Sequence, residues 1–321
     1  MPLSGIVLVT GGAGFIGSHI AAALLERGAR VRIIDDLSTG HRENLDEIGG
    51  HIDFIQASLC DRNAVSRSLE DVELVFHEAA IPSVPRSVEA PAETHDASVN
   101  ATFSLLLGAR DRKVRRLVYA ASSSAYGDQP ELPKREDMRP DPLSPYAVAK
   151  LVGEYYCQVF SRVYALETVS LRYFNVFGPR QDPGSQYSGV ISRFIDAALN
   201  RKQPTIYGDG EQSRDFTYIS NVVEANLKAA ESTSAVGRVI NIANGERVTI
   251  NEVFEMIKKL TDQTNLQAEY AGSRAGDVRD SLADLSVARS LLAYNPKIGL
   301  EEGLRLTIDW WAKSRFSKAS S

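Results

Sequence analysis

The chain has 321 residues, of which 43% are hydrophobic and 24% are charged, and its formal net charge is −5. This composition predicts a globular protein with a sizeable core, in one large domain or two smaller ones. The slight negative charge gives no electrostatic basis for binding nucleic acid or an anionic membrane. No apolar run approaches the roughly 18–20 residues of a membrane span, and the N-terminus lacks a signal-peptide pattern. We therefore expect a cytoplasmic protein.

Cysteine and histidine are too few and too scattered to build a disulfide framework or a metal site. Cys60 and Cys157 show no metal-ligand spacing, and we expect both to be buried or half-buried. No metal is predicted.

The first half of the chain alternates β-branched runs with segments of helical length. The strand-like runs are, in order, GIVLVTG, RVRIID, IDFIQA, LVFHEAA, RRLVYAAS and ETVSLRYF, and a helix is predicted over about 14–27. Near-continuous apolar strands separated by helices predict a parallel, doubly wound α/β sheet that is buried on both faces.

After Phe177 the pattern changes to a long loop rich in glycine and proline, GPRQDPGSQYSG, of the kind that often carries function. Helices are predicted near 190–201, 220–231, 249–261 and 300–314, with a short strand at VINIA. We expect residues 1–178 plus about 214–245 to form a nucleotide-binding domain. Residues 179–213 plus 246–321 are expected to form a smaller α/β lobe that closes over the carboxyl ends of the strands.

Glycines recur at three-residue spacing in VTGGAGFIGSHI, at Gly11, Gly14 and Gly17, between a strand and a helix. Such glycines permit a tight turn, close approach of the backbone to a pyrophosphate and close packing of helix on strand. A purely structural turn is the alternative explanation.

The next strand ends at Asp35–Asp36, about 20 residues on, where a carboxylate hydrogen-bonds the adenosine ribose of a dinucleotide. A carboxylate there repels a 2′-phosphate, which favours NAD over NADP. Arg32 and Arg42 lie nearby in the sequence and keep NADP open, and a solvated strand end is the non-functional alternative.

The stretch PLSPYAVAK contains a helix start, with Ser144 as N-cap and Pro145 in the first turn. Tyr146 and Lys150 are four residues apart and therefore share one face of that helix. A phenol with a pKa near 10 is a poor base at neutral pH, and an adjacent ammonium favours the phenolate. Alone, the pair could equally be incidental surface residues.

The motifs TGGAGFIG, FHEAA, SSSAYG and YAVAK, in this order, resemble those of the extended short-chain dehydrogenase/reductase family over nearly the whole chain. The resemblance implies a Rossmann-type fold, bound NAD, and Tyr146 as acid and base. It implies that Lys150 lowers the pKa of Tyr146 and holds the nicotinamide ribose, and that Ser122 and Ser123 contact the reacting oxygen. Dehydratases and decarboxylases of this family carry a carboxylate beside the strand-end hydroxyl, and SSSAYG supplies none.

The stretches YGDGEQSRDFTYISNV and RAGDVRDSLAD in the second half are similar to the nucleotide-sugar 4-epimerases of that family. Together with IPSVPRSVEAP near residue 85, they look most like UDP-N-acetylglucosamine 4-epimerases. This similarity implies that Arg214 and Arg274 hold the substrate diphosphate and that Asp277 contacts the uridine ribose. A planar guanidinium suits phosphate oxygens, although surface charges are the plain alternative. Asn175 is implied to reach the diphosphate and sugar, and Tyr207 to line the uracil pocket or simply to pack.

In DVRDSLAD, Ser281 resembles the residue at the edge of the hexose pocket in these enzymes, and the resemblance implies that a small residue there leaves room for an N-acetyl group. We therefore predict NAD-dependent 4-epimerisation of UDP-GlcNAc and UDP-GalNAc, and of UDP-glucose and UDP-galactose, through a transient 4-keto intermediate. A UDP-glucose-only or UDP-uronate 4-epimerase, a net NAD(P)-dependent oxidoreductase and a non-catalytic NAD-binding module are the alternatives.

The resemblance implies a larger set of contacts. For the cofactor these are Gly11, Gly14, Phe15, Ile16, Gly17, Asp35, Asp36, Ser38, Thr39, Gly40, Ser58, Leu59, Ala79, Ala80, Asn100, Tyr146, Lys150 and Tyr173, and for the substrate Ser83, Ser122, Ser123, Tyr146, Asn175, Tyr207, Arg214, Arg274, Asp277 and Ser281. Helices near 100–112 and 147–164 are implied to pair into a homodimer. Ala57-Ser58 replaces the Gly-Asp of many relatives, which makes the adenine contact less certain, and Glu78 stands without explanation where an apolar residue is frequent.

Overall fold

The computed structural model describes residues 5–182, 189–273 and 278–319, with side chains described as far as residue 313. The strands are β1 (Ile6–Thr10), β2 (Arg30–Asp35), β3 (Ile52–Gln56), β4 (Val72–His77), β5 (Arg116–Ser122), β6 (Glu167–Tyr173), β7 (Val176–Phe177), β8 (Thr205–Tyr207), β9 (Ser213–Arg214), β10 (Thr217–Tyr218), β11 (Val239–Ile242), β12 (Val248–Thr249) and β13 (Glu269–Ala271). The α-helices are α1 (Phe15–Glu26), α2 (Glu43–Asp46), α3 (Arg62–Ser68), α4 (Val84–Glu89), α5 (Pro91–His95), α6 (Ala101–Asp111), α7 (Pro145–Tyr164), α8 (Val190–Leu199), α9 (Ile219–Glu231), α10 (Ile250–Leu260), α11 (Ser286–Leu292) and α12 (Leu300–Ala319).

The central sheet has seven parallel strands in the order β11-β6-β5-β4-β1-β2-β3. The chain builds outward from β1 to β3 and then returns to place β4 on the other side of β1. Where the strand order reverses, the connections leave in opposite directions and open a crevice at the carboxyl ends of β1 and β4. The strands and the first helix predicted from the sequence occur at their predicted places, and the Rossmann-type fold is confirmed.

Both faces of this sheet are covered by helices. Alternate residues of β1 point to opposite faces, so Val7 and Val9 join the core beneath α1 and α9. Ile6 and Leu8 join the core beneath α3, α6 and α7. Burial on both faces explains why the strand sequences are almost continuously apolar.

The remaining strands form small two-stranded sheets, in which β7 pairs with β10, β8 with β13 and β9 with β12. Helix α8 packs on α10, where the rings of Phe194 and Phe254 lie 5.1 Å apart. A capping box of Thr249 and Glu252 begins α10, and each side chain bonds the other's backbone N–H.

Two further expectations concern burial and the membrane. Cys157 is buried on the inner side of α7, but Cys60 is exposed, so the expectation that both cysteines are buried or half-buried was wrong for Cys60. Cys60 follows the end of β3 in a surface turn, where its thiol donates to the Asp96 carbonyl (3.4 Å) and stays exposed. Across the part of the chain that the structure describes, no helix combines the length and the apolar character needed to cross a bilayer.

Candidate active site

The glycine loop lies between β1 and α1 and brings backbone unusually close to backbone. Gly11 has φ +66°, and a side chain there would lie 2.7 Å from the backbone of Ala79. A Cβ at Gly17 would lie 2.2 Å from the Gly11 carbonyl oxygen. Gly14 is the N-cap of α1 and no side chain caps the first turn. Backbone N–H groups at a helix N-terminus favour an anion, so this loop fits a pyrophosphate.

The two carboxylates at the end of β2 behave differently. Asp35 is buried and accepts backbone N–H bonds from Ala13 (2.9 Å) and Leu37 (2.8 Å), which ties it to the glycine loop. Burial raises the pKa of Asp35, while those two hydrogen bonds lower it. Asp36 is exposed and accepts from the Ser38 N–H. Both carboxylates border the same cavity as the glycine loop, where they suit ribose hydroxyls.

Arg32 and Arg42, the two arginines that left NADP as an alternative cofactor, contact other residues of the protein. Arg32 bonds the Asp53 carboxylate (2.6 Å) and the carbonyls of Ser68 and Glu70. The Arg42 guanidinium stacks 4.5 Å from the centre of the Phe54 ring. Their placement favours NAD over a 2′-phosphorylated cofactor.

Helix α7 begins as the sequence predicts, with the Ser144 hydroxyl accepting from the Ala147 N–H and Pro145 in the first turn. Tyr146 and Lys150 are on its inner side, and the Lys150 ammonium donates to the Ala120 carbonyl on β5 (2.7 Å). Ser122 ends β5 and lines the cavity with Tyr146, and its hydroxyl acts to lower the pKa of the phenol. The strand end and the first turns of the helix thus bring a phenol, an ammonium and a hydroxyl together.

On balance the pKa of Tyr146 is raised, contrary to the expectation that Lys150 lowers it. Burial raises the pKa of Tyr146, the Ser122 hydrogen bond lowers it, and the Glu78 charge raises it. Burial also lowers the pKa of Lys150. A positively charged ring beside Tyr146 would lower the pKa of the phenol, which Lys150 alone does not do.

A cavity of about 790 Å³ lies over the carboxyl ends of the strands. Its lining includes most of the predicted cofactor residues, namely Gly11, Gly14, Phe15, Ile16, Gly17, Asp35, Asp36, Ser38, Thr39, Ser58, Leu59, Ala79, Ala80, Tyr146, Lys150 and Tyr173. It also includes the predicted substrate residues Ser83, Ser122, Ser123, Asn175, Arg214 and Ser281. One continuous space thus runs from the glycine loop past Tyr146 to the second half of the chain.

A smaller cavity of about 210 Å³ adjoins the first and shares Asn175, Gln181 and Arg214 with it. Tyr207 lines this smaller cavity, with the Arg193 guanidinium 5.7 Å from the centre of its ring. Arg214 also bonds the backbone carbonyls of Ser213 and Arg279.

Two predicted cofactor residues are not on the cavity surface. Asn100 is exposed and donates to the Asp96 carboxylate (2.6 Å). Residues Asp96–Asn100 form a π-helical turn, whose extra residue rotates the side chains, and Ala97 and Ala101 border the cavity instead. Gly40 packs against Ala13, where a Cβ would lie 3.0 Å away, and so shapes the glycine loop from behind. Arg274 and Asp277 lie outside the described residues.

Gln181 was missed by the sequence analysis although it borders both cavities. Its side chain donates to the Val176 carbonyl and accepts from the Ser192 hydroxyl, which fixes the amide between the two spaces. Its place in the glycine- and proline-rich loop was the signal that could have found it.

Comparison with known proteins agrees with this geometry. Residues 7–243 match the model of the NAD dependent epimerase/dehydratase family. A UDP-N-acetylglucosamine 4-epimerase from Methanobrevibacter ruminantium, solved with UDP-N-acetylmuramic acid, is 41% identical, covers 97% of this chain and 99% of its own, and superposes with a TM-score of 0.92. A UDP-glucose 4-epimerase from Thermotoga maritima, solved with UDP-glucose, is 38% identical, with coverage of 97% and 99% and a TM-score of 0.92.

A UDP-glucuronic acid 4-epimerase from Bacillus cereus, solved with a fluorinated UDP-glucuronic acid and NAD, is 34% identical, with coverage of 96% and 99% and a TM-score of 0.90. These relatives differ in their sugars and share the fold over almost the whole length of the chain. The chain belongs to the NAD dependent epimerase/dehydratase family, in its nucleotide-sugar epimerase branch, and its cofactor is NAD.

Proposed function

We propose that the chain is a UDP-sugar 4-epimerase that interconverts UDP-GlcNAc with UDP-GalNAc and also UDP-glucose with UDP-galactose. The observation that carries this is the meeting of Tyr146, Lys150 and Ser122 in the cavity between the glycine loop and Arg214. A nucleotide sugar anchored at Arg214 can place its sugar ring at Tyr146 while a dinucleotide lies along the glycine loop.

Tyr146, as phenolate, takes the proton of the sugar 4-hydroxyl and later returns a proton to the oxygen at C4. NAD held along the glycine loop would supply the hydride acceptor and donor for C4. Ser122 and Ser123 orient the reacting oxygen at the end of β5, and Lys150 supplies positive charge beside Tyr146. Arg214 holds the diphosphate away from the reacting carbon, so the 4-keto sugar can turn and present its other face.

The sugar end of the cavity supports the acetamido sugars. Ser281 borders it and is nearly covered, with its hydroxyl bonded by the Asn175 amide (3.3 Å) and the Asp215 N–H (3.4 Å). A short side chain held in this way leaves volume for an acetamido group. A UDP-uronate would need a cation for its C6 carboxylate, and Arg86, which borders the cavity, is already held by Glu93 (3.2 and 2.5 Å).

Product analysis tests this function. The purified protein, without added cofactor, is incubated separately with UDP-GlcNAc, UDP-glucose and UDP-glucuronate, and products are resolved by NMR. We expect UDP-GalNAc from the first and UDP-galactose from the second. Conversion of UDP-glucose alone would refute the reading of Ser281, and conversion of UDP-glucuronate alone would replace the proposal with a uronate enzyme.

A pair of variants at Ser281 isolates pocket volume from hydrogen bonding. Ser281→Tyr should lower kcat/KM for UDP-GlcNAc at least about tenfold more than for UDP-glucose, since it fills the acetamido space. Ser281→Ala removes the same two hydrogen bonds without adding volume and should keep the ratio of the two sugars. An equal loss for both sugars in Ser281→Tyr would contradict the pocket argument.

We also propose which part of the chain binds which ligand. We assign NAD to residues 1–178 with about 214–245, and the nucleotide sugar to about 179–213 with 246–321. In support, β11 is an edge strand of the seven-stranded sheet, and α9 packs on that sheet. In the other part, β8 pairs with β13, and α8 packs on α10. Hydrogen exchange with UDP alone should protect amides of the second part; protection confined to the first would reverse the assignment.

The outer face of α7 supports a homodimer. Val148, Tyr155, Val159 and Val163 recur there at helical spacing and are 46–64% exposed. A contiguous apolar stripe on a soluble protein marks an interaction surface, and a second copy would bury it helix against helix. Val159→Glu should yield a monomer in analytical ultracentrifugation, while Leu306→Glu on α12 should not. Monomeric wild-type protein at micromolar concentration would refute the homodimer.

A further inference from the structure

Glu78 is a carboxylate at the centre of the active site that the proposed mechanism does not use. It directly follows β4, and its N–H donates to the Thr10 carbonyl on β1 (3.2 Å). Its backbone lies against Gly11, where an added Cβ would approach to 3.0 Å. The residue borders the large cavity together with Tyr146 and Lys150.

The orientation of the Glu78 carboxylate is fixed by two other elements. The Tyr173 hydroxyl at the end of β6 donates to Glu78 Oε1 (2.9 Å). The Asn226 amide on α9 donates to the Tyr173 hydroxyl oxygen (2.8 Å) and to the Val222 carbonyl (2.9 Å). The Tyr173 hydroxyl also lies 3.1 Å from Asn226 Oδ1. Burial raises the pKa of Glu78 to about 7, whereas the Tyr173 hydrogen bond and the Lys150 charge act in the opposite direction and favour the ionised carboxylate.

The charged and titratable groups around Glu78 can be named element by element. Lys150 and Tyr146 on α7 line the same cavity as Glu78 and interact electrostatically with its charge, and the Tyr173 phenol at the end of β6 donates to its carboxylate. His77 precedes it on β4, but its ring is held between the hydroxyls of Thr10 and Thr102. Burial lowers the pKa of His77 to about 3, so this ring is neutral at working pH. Among these groups Lys150 is the cation, and its charge lowers the pKa of Glu78.

Lys150 needs such a partner. It is 5% exposed, and the hydrogen bond of its ammonium goes to a neutral carbonyl, that of Ala120. A buried ammonium without an opposite charge gives up its proton, because desolvation penalises the charged form. Burial lowers the pKa of Lys150, and the Glu78 carboxylate is the largest influence that raises it again.

We propose that Glu78 is a positioning residue that acts as the counter-ion of Lys150, keeping the lysine protonated where it meets Tyr146 and the cofactor ribose. The inference rests on the proposed function only for the roles of Tyr146 and Lys150. Glu78 also repels the Tyr146 phenolate directly. The negative charge of Glu78 raises the pKa of both Lys150 and Tyr146, so both effects shift the pH dependence of activity to higher pH.

The charge can be removed in two sterically different ways. Glu78→Gln keeps the shape and the bond to Tyr173, whereas Glu78→Leu loses both the bond and the polarity. If charge is what matters, both variants shift the pH–activity profile to lower pH by about one unit and by similar amounts. Glu78→Asp keeps the charge and should keep the profile. Glu73→Gln, at the opposite end of β4 and paired with Arg115, is the matched control and should not shift it.

A direct titration of Lys150 needs no substrate. In protein labelled at the lysine ε-carbon, the NMR signal of Lys150, assigned with Lys150→Arg, reports its protonation. We expect its midpoint to fall in Glu78→Gln and Glu78→Leu and to stay unchanged in Glu73→Gln. An unchanged midpoint in a folded Glu78 variant would overturn the proposal. A shifted midpoint in a protein that converts no UDP-sugar would instead leave the counter-ion in place and refute the proposed function.

Discussion

The buried ion pair between Glu154 and Arg172 joins the helix that carries Tyr146 and Lys150 to the central sheet. Glu154 lies one turn after Lys150 on α7, and Arg172 is next to the last residue of β6. Arg172 Nε and Nη2 donate to the two carboxylate oxygens over 2.9 and 2.6 Å. The two side chains are only 2% and 3% exposed. Glu154→Gln keeps the shape of this contact and removes one of its two charges.

The expected loss follows from burial. Leaving one charge of a buried pair without its partner costs about 3–5 kcal/mol, because the remaining ion cannot return to water. Unfolding entropy of about 2.1 cal/mol/K per residue, over 321 residues, gives about 0.7 kcal/mol per degree. We therefore expect Glu154→Gln to lower Tm by about 4–8 °C.

Differential scanning calorimetry with an exposed pair as control tests this reasoning. Glu301 pairs with Arg305 on α12 over 3.3 Å, with side chains 68% and 55% exposed. Such a pair contributes about 0.3–0.5 kcal/mol, so Glu301→Gln should lower Tm by less than about one degree. If Glu154→Gln lowered Tm no more than Glu301→Gln, the buried pair would not fasten α7 to the sheet.

Three further predictions address the catalytic base, the cofactor loop and acid stability. Tyr146→Phe should lower kcat by at least about 10²–10⁴-fold while calorimetry shows unchanged UDP binding, and near-normal turnover would remove Tyr146 from its role. Gly17→Ala should abolish retention of NAD, because its Cβ would lie 2.2 Å from the Gly11 carbonyl oxygen. Gly272→Ala, with open space around it, should retain NAD. The absorbance ratio at 260 and 280 nm of the purified proteins measures the retention. His77 has its pKa lowered to about 3 by burial, so its contribution to stability is complete above about 6.5 and is lost as pH falls towards 3. His77→Gln should flatten the free energy of unfolding over that range, and an unchanged acid slope would contradict this.

Local signals in the sequence were enough for the fold and the centre of the site. Apolar strand patterns located the strands, because burial on both faces is recorded in each strand's own residues. Gly11, Gly14 and Gly17 located the turn, because close backbone approach restricts a position to glycine. Ser144 and Pro145 located the start of α7, because capping is a local interaction.

Features that depend on distant packing could not be predicted in this way. Asn100 misses the cavity because a π-helical turn rotates it, and no sequence signal for that turn was apparent. The direction of the Tyr146 pKa depends on burial and on Glu78, which follows a strand about 70 residues earlier. The partner of Glu78 is Tyr173, a further 95 residues along the chain, so its function became arguable only once β4 and β6 were placed in one sheet.

The central claim is that C4 of the sugar gives up a hydride and receives the same hydride back within one active site. The most direct measurement uses UDP-GlcNAc deuterated at C4, incubated with the purified protein without added cofactor, with the UDP-GalNAc product analysed by NMR and mass spectrometry. Our account predicts that the deuterium stays at C4 of the product and that no NADH accumulates in proportion to product. Loss of the deuterium to solvent, or NADH formed in step with an oxidised product, would contradict it.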